Sequence, residues 1–201
     1  MASTRFAVFG HPIAHSLSPR IHQAFARQFG MQLEFGTIDA TPETFGAAVG
    51  QFFADGGTGA NVTVPHKHAA YALAAERDVS AARVGAANVL SRLPDGRLAA
   101  HNTDGACLVR DLRERHGQVL EGSTVLLLGA GGAAWGVAFS LLDAGVGALT
   151  IANRTATTAE RLVHALGQPD RVQAIPLTRL SGAGHFDLII NATSAGLLGH
   201  S

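Results

Sequence analysis

The sequence predicts an α/β protein built as two successive α/β units. Three observations carry that prediction. Short β-rich runs alternate with segments of helical spacing through the first half. An apolar run at residues 124–128 passes directly into the glycine-rich stretch "GAGGAAWG". The 201 residues, 47% hydrophobic and 15% charged, are enough to fill a buried core and argue against disorder.

Residues 5–9, 33–38 and 60–64 read as strands. Between the first two, Ser18 and Pro19 are expected as N-cap and first-turn residue. Ile21, Ala24, Phe25 and Phe29 form an apolar helical stripe, and Gly30 is a stop. Within 60–64, a period of two puts Val62 and Val64 on one face and Asn61 and Thr63 on the other, with Pro65 ending the strand and Lys67 just past it. Residues 88–93 and 97–100 flank "PDG", a hairpin signal. A helix with Asp104 as N-cap is expected to run to about His116, and the domain boundary falls near 105, giving domains 1–105 and 106–201.

The second domain begins with a strand at 124–128, a helix to about Ala144 and a strand at 148–152. A helix at 156–166 and strands at 171–175 and 186–191 follow. This is a doubly wound, Rossmann-like pattern with four strands, where the usual dinucleotide fold has about six. It is therefore expected to be incomplete at the C-terminus.

Lys plus Arg and Asp plus Glu balance at 15 each, with pI near 7.2, so no electrostatic footprint for nucleic acid or anionic lipid is present. The expected partner is a small molecule, with the chain a monomer or homodimer. The single Cys107 fits a reducing, cytoplasmic setting. The N-terminal apolar run is too short for a signal peptide. Residues 125–142 are uncharged and approach a membrane span in length, but Gly129, Gly131, Gly132 and Gly136 read better as strand, turn and buried helix. His66 and His68 are close in sequence, yet no matching ligand set accompanies them, so no metal is expected.

Gly129, Gly131 and Ala134 match G-x-G-x-x-G/A at a strand-to-helix turn. Gly129 would allow the tight turn, Gly131 the approach of a pyrophosphate, and Ala134 close helix packing. At the end of the next strand, where an NAD site offers an acid to the ribose, the chain has Asn153, Arg154 and Thr155. A guanidinium there favours the 2′-phosphate of NADP; the bland reading is a solvated Arg beside a helix cap made by Thr155. Asn191, Thr193 and Ser194 in "NATSAG" fall at a strand end, as ligand residues or as a plain turn.

In the first domain, Lys67 could be a solubilising charge and Asp104 a helix cap. Ser16, Ser18, Thr63, Asn88 and Asn102 add neutral polar groups on other loops, a set suited to reading the hydroxyls of a small polyol acid. Ser16 is the cleaner ligand candidate, because Ser18 already has the capping role.

The ordered series "GHPIAHSLSPRIH", "NVTVPHK", "GAANVL", "HNTDG", "GAGGAA", "NRT" and "NATSAG" resembles the shikimate dehydrogenase family across essentially the whole chain. Members are the NADP-dependent enzymes of aromatic amino-acid biosynthesis. The resemblance implies that Lys67 is the catalytic acid/base and Asp104 its partner, and that Ser16, Ser18, Thr63, Asn88 and Asp104 hold shikimate. It also implies that Gly129, Ala130, Gly131, Gly132 and Ala133, with Asn153, Arg154 and Thr155, bind NADP, with Thr193 near the nicotinamide. The reaction implied is hydride transfer from NADPH to 3-dehydroshikimate while Lys67 supplies a proton.

Trp135 stands where the family often has Arg, and Thr158 replaces a basic residue that often supports Arg154, so a reduced NADP preference is expected. "GAANVL" and "DGACL" also differ from the commoner "GAVNTL" and "DGxGL". Family members continue past "NATS" with further strands and a C-terminal helix, so a truncated chain with an unpaired sheet edge and impaired activity is expected. The alternatives are a noncatalytic nucleotide- or shikimate-binding remnant and a quinate/shikimate dehydrogenase using NAD.

Overall fold

The computed structural model describes residues 4–193. The chain divides into two units, Met1–Thr103 and Asp104–Ser201.

The first unit is a six-stranded mixed sheet with helices. In chain order its elements are β1 (Thr4–Gly10), α1 (Ser18–Gln28), β2 (Leu33–Asp39), α2 (Phe45–Ala54), β3 (Gly59–Val62), α3 (Lys67–Leu73), β4 (Glu76–Arg77), α4 (Val79–Val84), β5 (Val89–Arg92) and β6 (Leu98–His101). The strand order is β2-β1-β3-β5-β6-β4. β2, β1 and β3 are parallel, whereas β5 runs antiparallel to both β3 and β6, forming the hairpin expected around "PDG". α3, β4 and α4 are additions to the elements that residue patterns predict.

Alternation along β1 sends its side chains into two clusters. Ala7 and Phe9 join Phe45, Val49, Phe52 and Phe53 of α2, while Val8 packs with Ile13 and Phe35. Phe9 meets the edges of Phe45 and Phe52 at ring separations of 5.9 and 5.7 Å. Each such buried side chain contributes about 1.5–3 kcal/mol, so this aromatic cluster anchors the strand that leads to Gly10.

α1 forms where expected, but with two differences. Leu17 is the N-cap and Ser18 is already helical. The Ser18 N–H donates to the Ser16 Oγ at 3.3 Å, so the hydroxyl two residues upstream takes the local role expected of Ser18. The apolar stripe also faces outward: Ile21, Phe25 and Phe29 are 47, 51 and 71% exposed, and the helix buries Ala26 instead.

The second unit opens with α5 (Asp104–Glu114) and continues with β7 (Thr124–Leu128), α6 (Gly132–Asp143), β8 (Ala148–Asn153), α7 (Ala156–Leu166), β9 (Val172–Pro176), a 3₁₀ turn (Leu177–Gly182) and β10 (Leu188–Asn191). Its sheet is wholly parallel in the order β10-β7-β8-β9. The chain steps outward from β7 to β8 to β9, then returns to the other side of β7. That reversal makes the C-terminal ends of β7 and β10 a topological switch point, where open α/β sheets bind ligands.

Asp104 is the first helical residue of α5, one position further in than a cap, where its carboxylate still faces the favourable end of the helix dipole. Gly105 has a packing reason. A Cβ there would lie 2.1 Å from the Gly136 carbonyl oxygen and 2.3 Å from the Ser140 Oγ, so α5 and α6 meet backbone to backbone. Among the described residues, no helix is long and apolar enough to cross a membrane.

Candidate active site

The strand registers place the first unit's candidate residues at one end of one sheet. Phe9 of β1 lies opposite Ile38 and Val62, Asn61 opposite Val89, and Val89 opposite His101. The segments carrying Ser16, Thr63, Lys67, Asn88 and Asn102 therefore all leave or enter the sheet at that end.

β3 ends at Val62, two residues sooner than its apolar alternation implies. The next residues form a turn in place of more strand: Thr63 donates its N–H to the Phe9 oxygen at 2.9 Å, and Val64 is 43% exposed, not buried beside Val62. His11 donates its N–H to the Val64 oxygen at 3.1 Å. Gly10 leaves room for this approach, since a Cβ there would sit 2.7 Å from both Ile13 Cδ1 and Thr63 Cγ2 and displace those side chains. Lys67 is then the first residue of α3, half-buried, with its carbonyl accepting the Ala87 N–H at 2.8 Å.

Asn88 joins three segments. Its carbonyl accepts the Val62 N–H at 2.8 Å, its Oδ1 accepts the Thr103 N–H at 3.0 Å, and its Nδ2 donates to Thr103 Oγ1 at 3.0 Å. Asn102, 5% exposed, donates from Nδ2 to the Ala86 oxygen at 2.9 Å, and its N–H goes to Ser80 Oγ at 2.9 Å. Ser80 in turn donates to Asp78 at 2.7 Å, and Asp78 caps α4 through the Ala81 N–H at 2.8 Å. Burial would raise the Asp78 carboxyl, but the bonds from Ala81, Ser80 and His101 outweigh it and hold the group below the ordinary aspartate value. The turn at 63–67 and the loop at 102–103 are thus tied through residues 86–88.

His66 and His68 serve separate contacts: His66 bonds the Ala40 oxygen and His68 the Gly85 oxygen. Among the described residues, no group of three or more His, Cys, Asp or Glu is placed to hold a metal ion.

In the second unit, Gly129 adopts φ +103°, the left-handed region that favours glycine, and a Cβ would approach the Ala192 oxygen to 3.0 Å. Gly131 caps α6 in extended conformation, and a Cβ there would meet nothing within 4 Å. Protein packing therefore does not demand that glycine, whereas close approach by a ligand would. Gly132 and Ala133 follow at the helix start, where amides point outward without intrahelical acceptors. Ala134 is fully buried, as close helix-to-strand packing needs. These features fit a pyrophosphate at the N-terminus of α6.

At the end of β8, Asn153 Nδ2 donates to the Thr155 oxygen at 2.9 Å. Thr155 occupies the N-cap position of α7 without a side-chain cap bond. Arg154 is exposed, and no carboxylate among the described residues pairs with it. After β10, Thr193 donates from both N–H and Oγ1 to Asn191 Oδ1, at 3.0 and 2.7 Å, a local turn beside Gly129. Ser194 lies outside the described residues. A depression of about 500 Å³ lined by Gln173, Ile175, Thr178 and Arg179 lies along the edge strand β9, and no candidate residue lines it.

Reading the sequence by motif missed three things. The bonds from His66 to the Ala40 oxygen and between His101 and Asp78 span 26 and 23 residues of the chain and leave no local pattern. The third was visible in composition: Lys67 is the only lysine among the 15 Lys and Arg residues. The chain makes its solvated cations from Arg, so one Lys at this turn is poorly explained as a solubilising charge.

A model of the shikimate dehydrogenase substrate binding domain matches residues 8–90, and a model of shikimate / quinate 5-dehydrogenase matches residues 111–198. Shikimate dehydrogenase (NADP(+)) of Xanthomonas campestris pv. campestris (strain B100) is 55% identical over 196 residues, covering 98% of this chain and 69% of the relative. An Ael1 enzyme from Pseudomonas putida superposes with a TM-score of 0.86 at 43% identity, covering 99% of this chain and 72% of that one. Shikimate 5-dehydrogenase from Thermus thermophilus, solved with NADP(H) and shikimate, gives 0.82 at 34%, covering 94% and 68%. Two family models matched in the order of the two units, with more than half the residues identical across nearly the whole chain, place this protein in the shikimate dehydrogenase family.

Proposed function

We propose that the chain catalyses the NADP-dependent, reversible reduction of 3-dehydroshikimate to shikimate in the shikimate pathway. The observation that carries the assignment is the gathering of Ser16, Thr63, Lys67, Asn88 and Asn102 at one end of the first sheet, with a single lysine among them. A cytoplasmic setting suits the lone, exposed Cys107 thiol, and a monomer or homodimer is the proposed working state.

NADPH, when bound, supplies the hydride. Gly129 to Ala133 would hold its pyrophosphate and Asn153, Arg154 and Thr155 its adenosine end, with the Arg154 guanidinium on the 2′-phosphate. Thr193 would stand toward the nicotinamide. Ser16, Ser18, Thr63 and Asn88 would receive the carboxylate and hydroxyls of the substrate, and a site built of such groups rejects analogues that leave them unpaired. Lys67 would give a proton from its ammonium to the carbonyl oxygen as that oxygen gains charge, and take one back in the oxidising direction. Asp104 would orient and stabilise the ammonium.

The test is NADPH absorbance in a mixture of the purified chain, shikimate and NADP, with Lys67→Ala alongside. Turnover that disappears in the variant supports the reading. Equal turnover in both samples removes Lys67 from the chemistry. No turnover in a folded wild-type chain, with shikimate still raising its melting temperature, would leave a binding protein.

A further inference from the structure

The first unit buries one titratable side chain that the proposed chemistry does not use, His66, which is only 2% exposed and directly precedes Lys67. Its Nε2 lies 2.7 Å from the Ala40 oxygen. A carbonyl can only accept, so Nε2 carries the hydrogen and donates it. The imidazole also lies flat on Phe45, with ring centres 4.3 Å apart and 10° between planes. Phe45 is itself held edge-on by Phe9 at 5.9 Å.

The backbone completes the clamp. The His66 N–H donates to the Thr63 oxygen at 2.9 Å, and the His66 carbonyl accepts the Ala70 N–H at 2.8 Å, closing the first turn of α3. Ala40, which receives the imidazole, donates its own N–H to the Gly10 oxygen at 3.2 Å. One side chain thus ties the residue before Lys67 to the ends of β1 and β2.

We propose that His66 is a positioning residue for Lys67: its bond to the Ala40 carbonyl fixes the first turn of α3 and so the point from which the lysine ammonium reaches. The inference rests on the reading of Lys67 as proton donor. Ring stacking alone would leave the turn free to slide, because offset stacked rings tolerate a broad range of separations. A hydrogen bond restricts both distance and direction, and a misplacement of about 1 Å at a reacting group can cost about 10²-fold in rate.

Two variants separate the contributions. His66→Phe keeps the ring and removes the donor; His66→Gln loses the ring but places an amide N–H near the former Nε2. In shikimate oxidation with NADP, His66→Phe is expected to lower kcat about 10- to 100-fold with little change in KM for shikimate, and His66→Gln to recover most of the loss. A role confined to stability would lower the melting temperature of His66→Phe and leave kcat of the folded protein intact, which would overturn the inference.

A second readout needs no turnover. Because Lys67 is the only lysine, protein labelled with ¹³C-lysine gives one Cε resonance. That resonance should move in His66→Phe, respond less to added shikimate, and return in His66→Gln; an unmoved resonance in His66→Phe overturns the proposal. Lys67→Ala run in parallel keeps the two claims apart. Retained turnover there sinks the catalytic reading, whereas loss there beside full kcat in His66→Phe sinks only the positioning role.

Discussion

Asn88 and Thr103 bond reciprocally: the Asn88 Oδ1 accepts the Thr103 N–H at 3.0 Å while the Asn88 Nδ2 donates to Thr103 Oγ1 at 3.0 Å. One amide thereby aligns the start of β5 with the loop that follows β6. Both ends of that pairing belong to the turn system from which the proposed substrate contacts project.

Asn88→Ala should therefore lose function and some stability together. The lost bonds are worth about 0.5–1.5 kcal/mol each, which would appear as a drop of several degrees in Tm. KM for shikimate should rise about tenfold or more if the amide also meets a substrate group. Thermal unfolding and steady-state kinetics on the same preparation check both, and an unchanged KM would remove Asn88 from the substrate site.

Arg154→Ala should separate the two nicotinamide cofactors. A charge-assisted bond to a phosphate contributes about 1.5–3 kcal/mol, so affinity for NADP should fall roughly 10- to 100-fold while affinity for NAD stays nearly level. Titration calorimetry with both cofactors measures the contrast. Equal losses would assign Arg154 to something other than the 2′-phosphate.

Gly105→Ala tests the contact between α5 and α6. The added methyl would collide with the Gly136 carbonyl, a backbone atom that cannot rotate away. Overpacking of this kind costs about 1–3 kcal/mol or more, and the melting temperature should fall accordingly. Ala106→Gly, on an exposed neighbouring position, is the control for helix propensity alone, with an expected cost of about 1 kcal/mol.

The Asp78 network predicts a pH dependence with a definite sign. Despite the opposing effect of burial, hydrogen bonds from Ala81, Ser80 and His101 hold the folded carboxyl below its ordinary value. Its stabilisation is therefore present above the unfolded aspartate value and lost as pH falls through the lower, folded one. The stability gap between wild type and Asp78→Ala should be widest near neutrality and narrow in acid. Denaturant unfolding across that range is the measurement, and a gap independent of pH would show that the carboxylate's charge contributes nothing.

Much of this architecture could be read directly from residue patterns. β7 and α7 have the expected limits because an uninterrupted apolar run and a Gly167 stop define them locally. α3 and α4 escape such a reading because they are only 7 and 6 residues long and alanine-rich, too short for a period to emerge, although the Asp78 cap and the left-handed Gly85 do mark α4. The α1 stripe shows a helix but not what its apolar face meets, since periodicity gives the face and not its partner. At the site, polar residue types stand out, whereas the hydrogen bonds that join Asn88 to Thr103 and His66 to Ala40 arise only when distant strands pair.

The most direct test of the central claim is Lys67→Arg. The chain already builds its other cations from Arg, so this substitution keeps the charge and much of the reach while removing an amine that can give up its proton. With saturating shikimate and NADP, kcat is expected to fall about 10²- to 10⁴-fold while shikimate still binds. A Lys67→Arg variant that turns over at the wild-type rate would contradict the role of Lys67 as proton donor.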